Sequence, residues 1–302
     1  MSFFCKPVPD LPEGLEACGL FSAGHWGLLL ITVAFIVLGL YFARNMSEKK
    51  VRLTVRIVTA VLWALEVAKI IFVVVVNKET NPNHFIPLYY CSLILYAGLF
   101  SSLGRGWVQR IGDVFISTGG IIGGMCFMLL PTTSLPRYPM LHFISFHSFL
   151  LHGLMVFLGI LMLMRGVCKL QAKDVYYCSG LISTMCVLAT TFNIFWDANN
   201  PPDPENGIFG ANLMFMSQDF PGTPVSLLYQ WLDGPPLFSI CMWLFQAFIP
   251  FFAVFAVYKL VVYMNEMTAA RRPSVNELEE ITVQINGVSP EQSTCEYKQE
   301  IE

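Results

Sequence analysis

The stretch LFSICMWLFQAFIPFFAVFAVYKLVVYM, from Leu237 to Met264, decides the class of fold. Lys259 is its only charged residue, and the run exceeds the roughly 18 to 20 apolar residues that a helix needs to cross a bilayer. Lipid offers no partner to an unpaired backbone group, so a segment of this kind must be a helix. The stretch is therefore expected to be a membrane-spanning helix.

Six further apolar runs have the same character. The chain has 302 residues, of which 55% are hydrophobic and only 13% are charged, whereas soluble domains carry roughly 25% charged residues. The sequence therefore predicts an all-α, polytopic membrane bundle of about seven transmembrane helices. The predicted spans are Trp26–Ala43, Leu53–Val76, Phe85–Leu103, Ile111–Pro131, Leu141–Met164, Val175–Trp196 and Leu237–Met264.

Three regions follow from this pattern. Residues 1–25 form a short outer N-terminal segment, residues 26–264 a seven-helix membrane domain, and residues 265–302 a polar, disordered cytosolic tail. The first residues are acidic and proline-rich rather than a basic stretch followed by an apolar core, so the first span is expected to act as its own signal. Between the last two spans, the apolar stretch IFGANLMFMSQDF is too short to cross, which predicts a re-entrant or interfacial segment.

The distribution of Lys and Arg predicts the orientation. Loops after the odd-numbered spans are basic, whereas the opposite side carries only Lys6, Lys78 and Arg137. The positive-inside rule then places the N-terminus outside or in a lumen and the C-terminus in the cytosol. The net charge is −3 and no further basic tract occurs, so nucleic acid is not an expected partner.

Small residues and cysteines leave two questions open. The stretch STGGIIGG in the fourth span has the small-xxx-small spacing that lets helix backbones approach, either inside the bundle or between copies in a homo-oligomer. Cys5 and Cys18 both precede the first span, and a disulfide between them depends on an oxidising compartment.

Ionisable side chains inside spans are costly and mark candidate functional positions. Glu66 and Lys69 in WALEVAKI are three residues apart, close enough to pair on one helix. The fifth span carries His142, His147 and His152 at five-residue intervals. Each is turned ~140° from the last, which disfavours a three-histidine metal site but allows one histidine to face the interior as a general base. No metal or soluble cofactor is expected.

A further group of polar residues lies at a similar depth. If the third span is helical from Phe85, Cys91 lies about 9 Å below the outer surface. His147, His152 and Asn193 share that band, where phospholipid ester bonds lie. A cysteine beside a histidine can be deprotonated and attack an ester. Asn193 and Asn212 are candidate donors to an oxyanion, or they merely cap irregular backbone.

The order of several motifs carries a family resemblance. LEVAK in the second span precedes IPLYYC in the third and FHSFLLHG in the fifth, and GANLMFMSQDFPGTPVSLLYQWLDGPPLF leads into the last span. This succession, from about Trp26 to Met264, resembles the YwaF-type bacterial membrane proteins and their eukaryotic relative, the transmembrane protein 164 family.

The resemblance implies an acyltransferase that moves fatty acyl chains into phospholipids through a membrane-embedded cysteine and a histidine. It places the cysteine at Cys91 and the histidine at His152, with Glu66 and Asn212 as further family positions. The sequence also departs from the pattern. Tyr89 stands where bacterial members have a histidine, and Ser92 stands where the eukaryotic form has one.

The leading hypothesis is therefore a phospholipid acyltransferase that works through a cysteine thioester, with membrane phospholipids as donor and acceptor. Cys91 is the nucleophile and His152 the base that takes its proton and later activates the acceptor hydroxyl. Glu66 orients His152 or holds Lys69, and His147 is the reserve base. The alternative is a seven-span transporter or receptor-like protein whose Glu, Lys and His side chains bind a solute or protons.

Overall fold

The structure is a computed structural model that describes residues 2–203, 209–221 and 223–270. The chain divides into two units, residues 1–255 and residues 256–302. Most of the predicted tail, from residue 271 onward, lies outside the described residues, and residues 265–270 continue the last helix. The α-helices are α1 (Ala23–Ala43), α2 (Glu48–Ile71), α3 (Leu93–Leu103), α4 (Trp107–Ser117), α5 (Gly119–Leu129), α6 (Phe143–Met164), α7 (Val175–Asn199), α8 (Pro224–Trp231) and α9 (Leu237–Ala270).

The predicted all-helical membrane fold is confirmed. Among the residues that the structure describes, six helical stretches are long and apolar enough to cross a membrane: α1, α2 with the π-helical turn Phe72–Val76 that follows it, α4 with α5, α6, α7 with the short turn before it, and α9. The apolar helix α3 has 11 residues and is too short to span by itself. It occupies the place of the predicted third span.

The third span begins later than predicted, and it contains a proline near its start. A helix over Phe85–Leu103 was expected, yet the helix begins only at Leu93. Pro87 lacks a backbone N–H and disfavours helical geometry at Ile86. Residues 77–92, which we call the entry segment, therefore run from the end of α2 to α3 as turns and one 3₁₀ turn at Pro82–His84.

The fourth span is broken in the middle. Thr118, between α4 and α5, has φ −130° and ψ −78°, outside the helical region. Gly119 follows it where a Cβ atom would lie 2.7 Å from the Tyr90 hydroxyl oxygen, so no larger residue fits. The break brings α5 against the entry segment.

The centre of the bundle consists of α6 with α4 and α5. Of their apolar windows, 67% and 72% of residues are buried within the protein, compared with 17% for α1. Helix α1 therefore offers most of its apolar surface to lipid, as expected for a peripheral span. The candidate site residues lie along α6 and around the entry segment.

A cluster of polar residues joins the start of α2 to the end of α3, to α4 and to the turn before α7. Arg52 of α2 donates to Asp113 Oδ1 at 2.7 Å, and Ser101 of α3 donates to the same oxygen at 2.6 Å. Arg110 of α4 forms a bidentate pair with Asp174, which precedes α7. These buried pairs satisfy charges that would be costly in lipid.

Candidate active site

Cys91 lies in the entry segment, two residues before α3 begins. Its half-buried Sγ atom donates to the backbone carbonyl of Gly123 in α5, at 3.7 Å. The expectation that this cysteine sits inside a membrane helix was wrong, and the depth based on 1.5 Å per helical residue does not apply. Cys91 instead stands at the N-terminal end of a helix, where the helix dipole favours negative charge.

His152 lies on the central helix α6 and is buried. Its Nδ1 atom is 2.6 Å from the carbonyl oxygen of Ser148, and its ring stacks on Phe127 with ring centres 3.6 Å apart. Since a carbonyl only accepts, Nδ1 must carry the proton. The Nε2 atom then has a free lone pair, and it is buried without a hydrogen-bond partner among the described residues.

Helix α5 contacts both the cysteine and the histidine. Gly123 accepts from the thiol of Cys91, and a Cβ atom on Gly124 would lie 2.7 Å from the carbonyl oxygen of His152. Phe127, one turn further along, covers the imidazole. Cys91 and His152 thus border the same stretch of α5, although the thiol donates to Gly123 rather than to His152.

A buried ionisable cluster joins α2 to α6 and consists of Glu66, Lys69 and His147. The ammonium of Lys69 donates to Glu66 Oε1 at 2.5 Å, so the expected pairing is present. Glu66 Oε2 faces His147 Nε2 at 3.6 Å, and both residues are almost completely buried. Of the two roles expected for Glu66, the structure shows that of holding Lys69, and its other oxygen faces His147, which lies one and a half turns before His152 on α6.

The two predicted asparagines shape the backbone of residues 209–221, the connecting segment. Asn212 Oδ1 accepts from the backbone N–H groups of Ser217 and Gln218, and its Nδ2 donates to the carbonyl of Gln218. Asn193 of α7 accepts from Leu213 N–H and donates to the Leu213 carbonyl and the Ser217 hydroxyl. Since their amides are engaged in this way, they do not act as free oxyanion donors in this structure.

The connecting segment lies against the entry segment. Met214 N–H donates to the carbonyl of Leu88 at 3.2 Å, and Asn83 Oδ1 accepts from the N–H of Asn212 at 2.7 Å. The ring of Tyr89 packs on Phe215, with ring centres 5.1 Å apart. Tyr89 therefore joins the two segments beside Cys91.

A family model described as the TMEM164 family matches residues 20–260. The chain belongs to the TMEM164 family. No curated protein and no solved structure matches the chain.

In this TMEM164-family chain, two residues that hold the connecting segment, Asp197 and Gln246, were not predicted from the sequence. Asp197 accepts from the N–H of Ala211 at 2.7 Å and from the side chain of Gln218 at 3.2 Å. Gln246 of α9 donates to the carbonyl of Met214 at 3.0 Å. Their partners lie 14 to 32 residues away in the chain, so spacing within one helix could not reveal them.

The connecting segment also carries backbone strain. Met214 and Phe215 have φ values of 57° and 53°, a left-handed conformation that residues other than glycine rarely adopt. Such strain persists only when surrounding contacts enforce it, and it is common near functional sites. Here Asn193, Gln246 and the entry segment supply those contacts.

His142, the first histidine of the fifth span, serves structure. It caps α6 by accepting from the N–H of Ile144, and its Nε2 atom lies 3.0 Å from the carbonyl oxygen of Cys5. Cys5 and Cys18 are both free thiols, so the possible disulfide is not formed in this structure.

The glycines of the fourth span pack within the chain. Gly119, Gly120, Gly123 and Gly124 are all buried. Added Cβ atoms would meet Tyr90 of the entry segment and Met155, Val156 and His152 of α6. A homo-oligomer through this face would therefore have to displace internal contacts.

Proposed function

We propose that this TMEM164-family protein is an integral-membrane phospholipid acyltransferase that works through a thioester on Cys91. The observation that carries the proposal is the placement of a thiol and of a buried imidazole with an unpartnered Nε2 atom along the same stretch of α5. Buried polar atoms without a partner are a small minority in native proteins, and use by a substrate or a catalytic step is one explanation for them.

The reaction begins with the transfer of the Cys91 proton to His152 Nε2. The thiolate attacks the carbonyl carbon of a donor phospholipid ester, and the carbon–oxygen ester bond breaks as the glycerol oxygen takes the proton from the imidazolium. An acyl group is then held on Cys91. A hydroxyl of an acceptor lipid attacks this thioester, the carbon–sulfur bond breaks, and the acceptor's proton returns to sulfur.

The surroundings of the thiol support this chemistry. Burial raises the pKa of the Cys91 thiol, so a base is needed to remove its proton before it can attack. The connecting segment packs on Tyr89 of the entry segment, and the hydrogen bonds of Asn193 and Asn212 hold its backbone in place. Under the orientation expected from the basic loops, the site lies in the outer half of the membrane, with the N-terminus outside or lumenal and the C-terminus cytosolic.

The buried group of Glu66, Lys69 and His147 favours one other function. Ionisable residues at membrane depth also form proton or solute pathways in transporters. A transporter that uses this group has no need of a thiol. Dependence on Cys91 therefore distinguishes the two functions.

The test is a search for the acyl-enzyme. Wild-type protein in nanodiscs is incubated with an alkyne-tagged phospholipid, with no acceptor, and examined by intact mass spectrometry. The proposal predicts one acyl adduct per chain that hydroxylamine removes, and no adduct on Cys91→Ala.

Cys126→Ala is the matched control, because Cys126 is a free thiol on α5 exposed on the surface of the helix bundle. It should form the adduct as wild type does. Absence of an adduct on folded wild-type protein, together with solute-dependent proton movement, would favour the transporter.

A further inference from the structure

Two histidines of α6 differ from other histidines of the described chain in their bonding. His147 and His152 each bury an Nε2 atom that has no hydrogen-bond partner within residues 2–203, 209–221 and 223–270. By contrast, His25 and His142 each use both ring nitrogens in hydrogen bonds to backbone atoms. Helix α6 therefore carries two buried imidazoles that are not held at both nitrogens, whereas the reaction proposed above uses one.

We propose that His147, positioned by Glu66, is a second catalytic base that activates the acceptor hydroxyl, while His152 serves only the thiol and the leaving alcohol. The inference rests on the proposed acyl transfer. It assigns formation of the acyl adduct to His152 and its release to His147.

The carboxylate of Glu66 is arranged for this purpose. Its Oε1 atom is held by Lys69 at 2.5 Å, which fixes the carboxylate, and its Oε2 atom faces His147 Nε2 at 3.6 Å. A shift of well under 1 Å closes this gap to a hydrogen bond. The carboxylate then stabilises the proton on Nε2 and leaves Nδ1 as the base, as in other carboxylate–histidine pairs.

His152 presents the other nitrogen. Its Nδ1–H group is fixed by the Ser148 carbonyl, so Nε2 is its base. In this scheme His147 acts through Nδ1 and His152 through Nε2, each on a different substrate. Because two imidazolium groups repel, the proton transfers occur one after the other rather than together.

In the second half-reaction, the acyl group moves from Cys91 to the acceptor. The acceptor hydroxyl gives its proton to His147 Nδ1 while its oxygen forms a bond to the thioester carbonyl carbon. The tetrahedral intermediate collapses, the carbon–sulfur bond breaks, and the product ester is released. The proton passes from the His147 imidazolium to the Cys91 thiolate, which restores the resting thiol.

The experiment separates the two steps on the full chain in nanodiscs. The first measurement is the rate of adduct formation on Cys91 from an alkyne-tagged phospholipid without acceptor. The second is the rate at which a preformed adduct disappears when a lysophospholipid is added. General acid–base catalysis contributes about 10² to 10⁴ in rate, so each variant should lose about 100-fold or more in its own step.

His147→Gln should form the adduct at close to the wild-type rate and release it about 100-fold more slowly. His152→Gln should instead lose adduct formation. The charge-neutral pair Glu66→Gln/Lys69→Met keeps His147 but removes its positioning. It should slow release alone, which keeps the proposal testable if His147→Gln does not fold. His142→Gln, on the same helix outside the site, is the control for nonspecific damage and should retain both rates in the folded fraction.

Three results overturn the inference. Release at the wild-type rate in folded His147→Gln makes His147 structural. Equal loss of both steps in His147→Gln and His152→Gln means that the histidines act as one unit. If wild-type protein forms no adduct at all, the proposed acyl transfer itself fails. The first two results leave that transfer standing.

Discussion

Replacing Asn193 by leucine removes the amide that holds the connecting segment against α7. The side chain is completely buried and makes three hydrogen bonds, two of them to the N–H and C=O groups of Leu213. Leucine is of similar size but leaves both backbone groups without a partner. Each backbone group left without a partner costs about 1–3 kcal/mol, so the free energy of local opening of the segment falls by about 2–6 kcal/mol.

Each 1.4 kcal/mol is a factor of ten, so the opened form becomes about 30-fold to 10⁴-fold more populated. Hydrogen–deuterium exchange of peptides covering residues 209–221, measured in nanodiscs, reports this population directly. Asn199→Leu is the matched control, since Asn199 is exposed near the end of the same helix and bonds only within it. Exchange in Asn193→Leu that stays within threefold of wild type would show that the Asn193 amide does not hold the connecting segment.

Two further predictions concern packing and pH. Gly98→Ala should destabilise the protein by about 1–3 kcal/mol, because its Cβ would lie 2.5 Å from the hydroxyl oxygen of the stiff, β-branched Thr59. Gly180→Ala meets nothing within 4 Å and should raise the melting temperature instead. Burial, with Arg137 alongside, lowers the pKa of His84 from 6.5 to about 4. Between pH 6.5 and 4 the unfolded chain binds a proton at His84 that the folded chain does not bind. This contribution to the free energy of unfolding is therefore fully present above pH 6.5 and is lost as the pH drops towards 4. In His84→Gln the melting temperature should depend less steeply on pH between 4 and 6.5. The same slope as in the wild type would contradict the assignment.

The fold was largely readable from the sequence because lipid leaves a long apolar run only one regular conformation. The exception is the third span, where the apolar pattern continues through Phe85–Ser92 but Pro87 disfavours a helix at Ile86 and the Leu88 carbonyl accepts from Met214 N–H of the connecting segment. Here hydropathy and backbone chemistry disagreed, and backbone chemistry decided the structure. That segment carries Cys91, so the exception falls on the candidate site.

The side-chain partners at the site could be predicted only in part. The pairing of Glu66 with Lys69 follows from spacing on one helix. Spacing fixes the angle between His147 and His152 but does not tell which of them faces α2, since that depends on how the helices pack. The hydrogen bonds of Asn193 reach residues about 20 positions away, so its part in shaping the connecting segment had no local signal.

The most direct test of the central claim is acyl transfer between two labelled lipids. Protein in nanodiscs receives a phospholipid with a deuterated acyl chain and a lysophospholipid with a different headgroup, and the product is detected by mass. We predict that wild type and Cys126→Ser form the deuterated product, whereas Cys91→Ser does not. Product formed at the wild-type rate by Cys91→Ser, or no product from folded wild-type protein, would contradict the account.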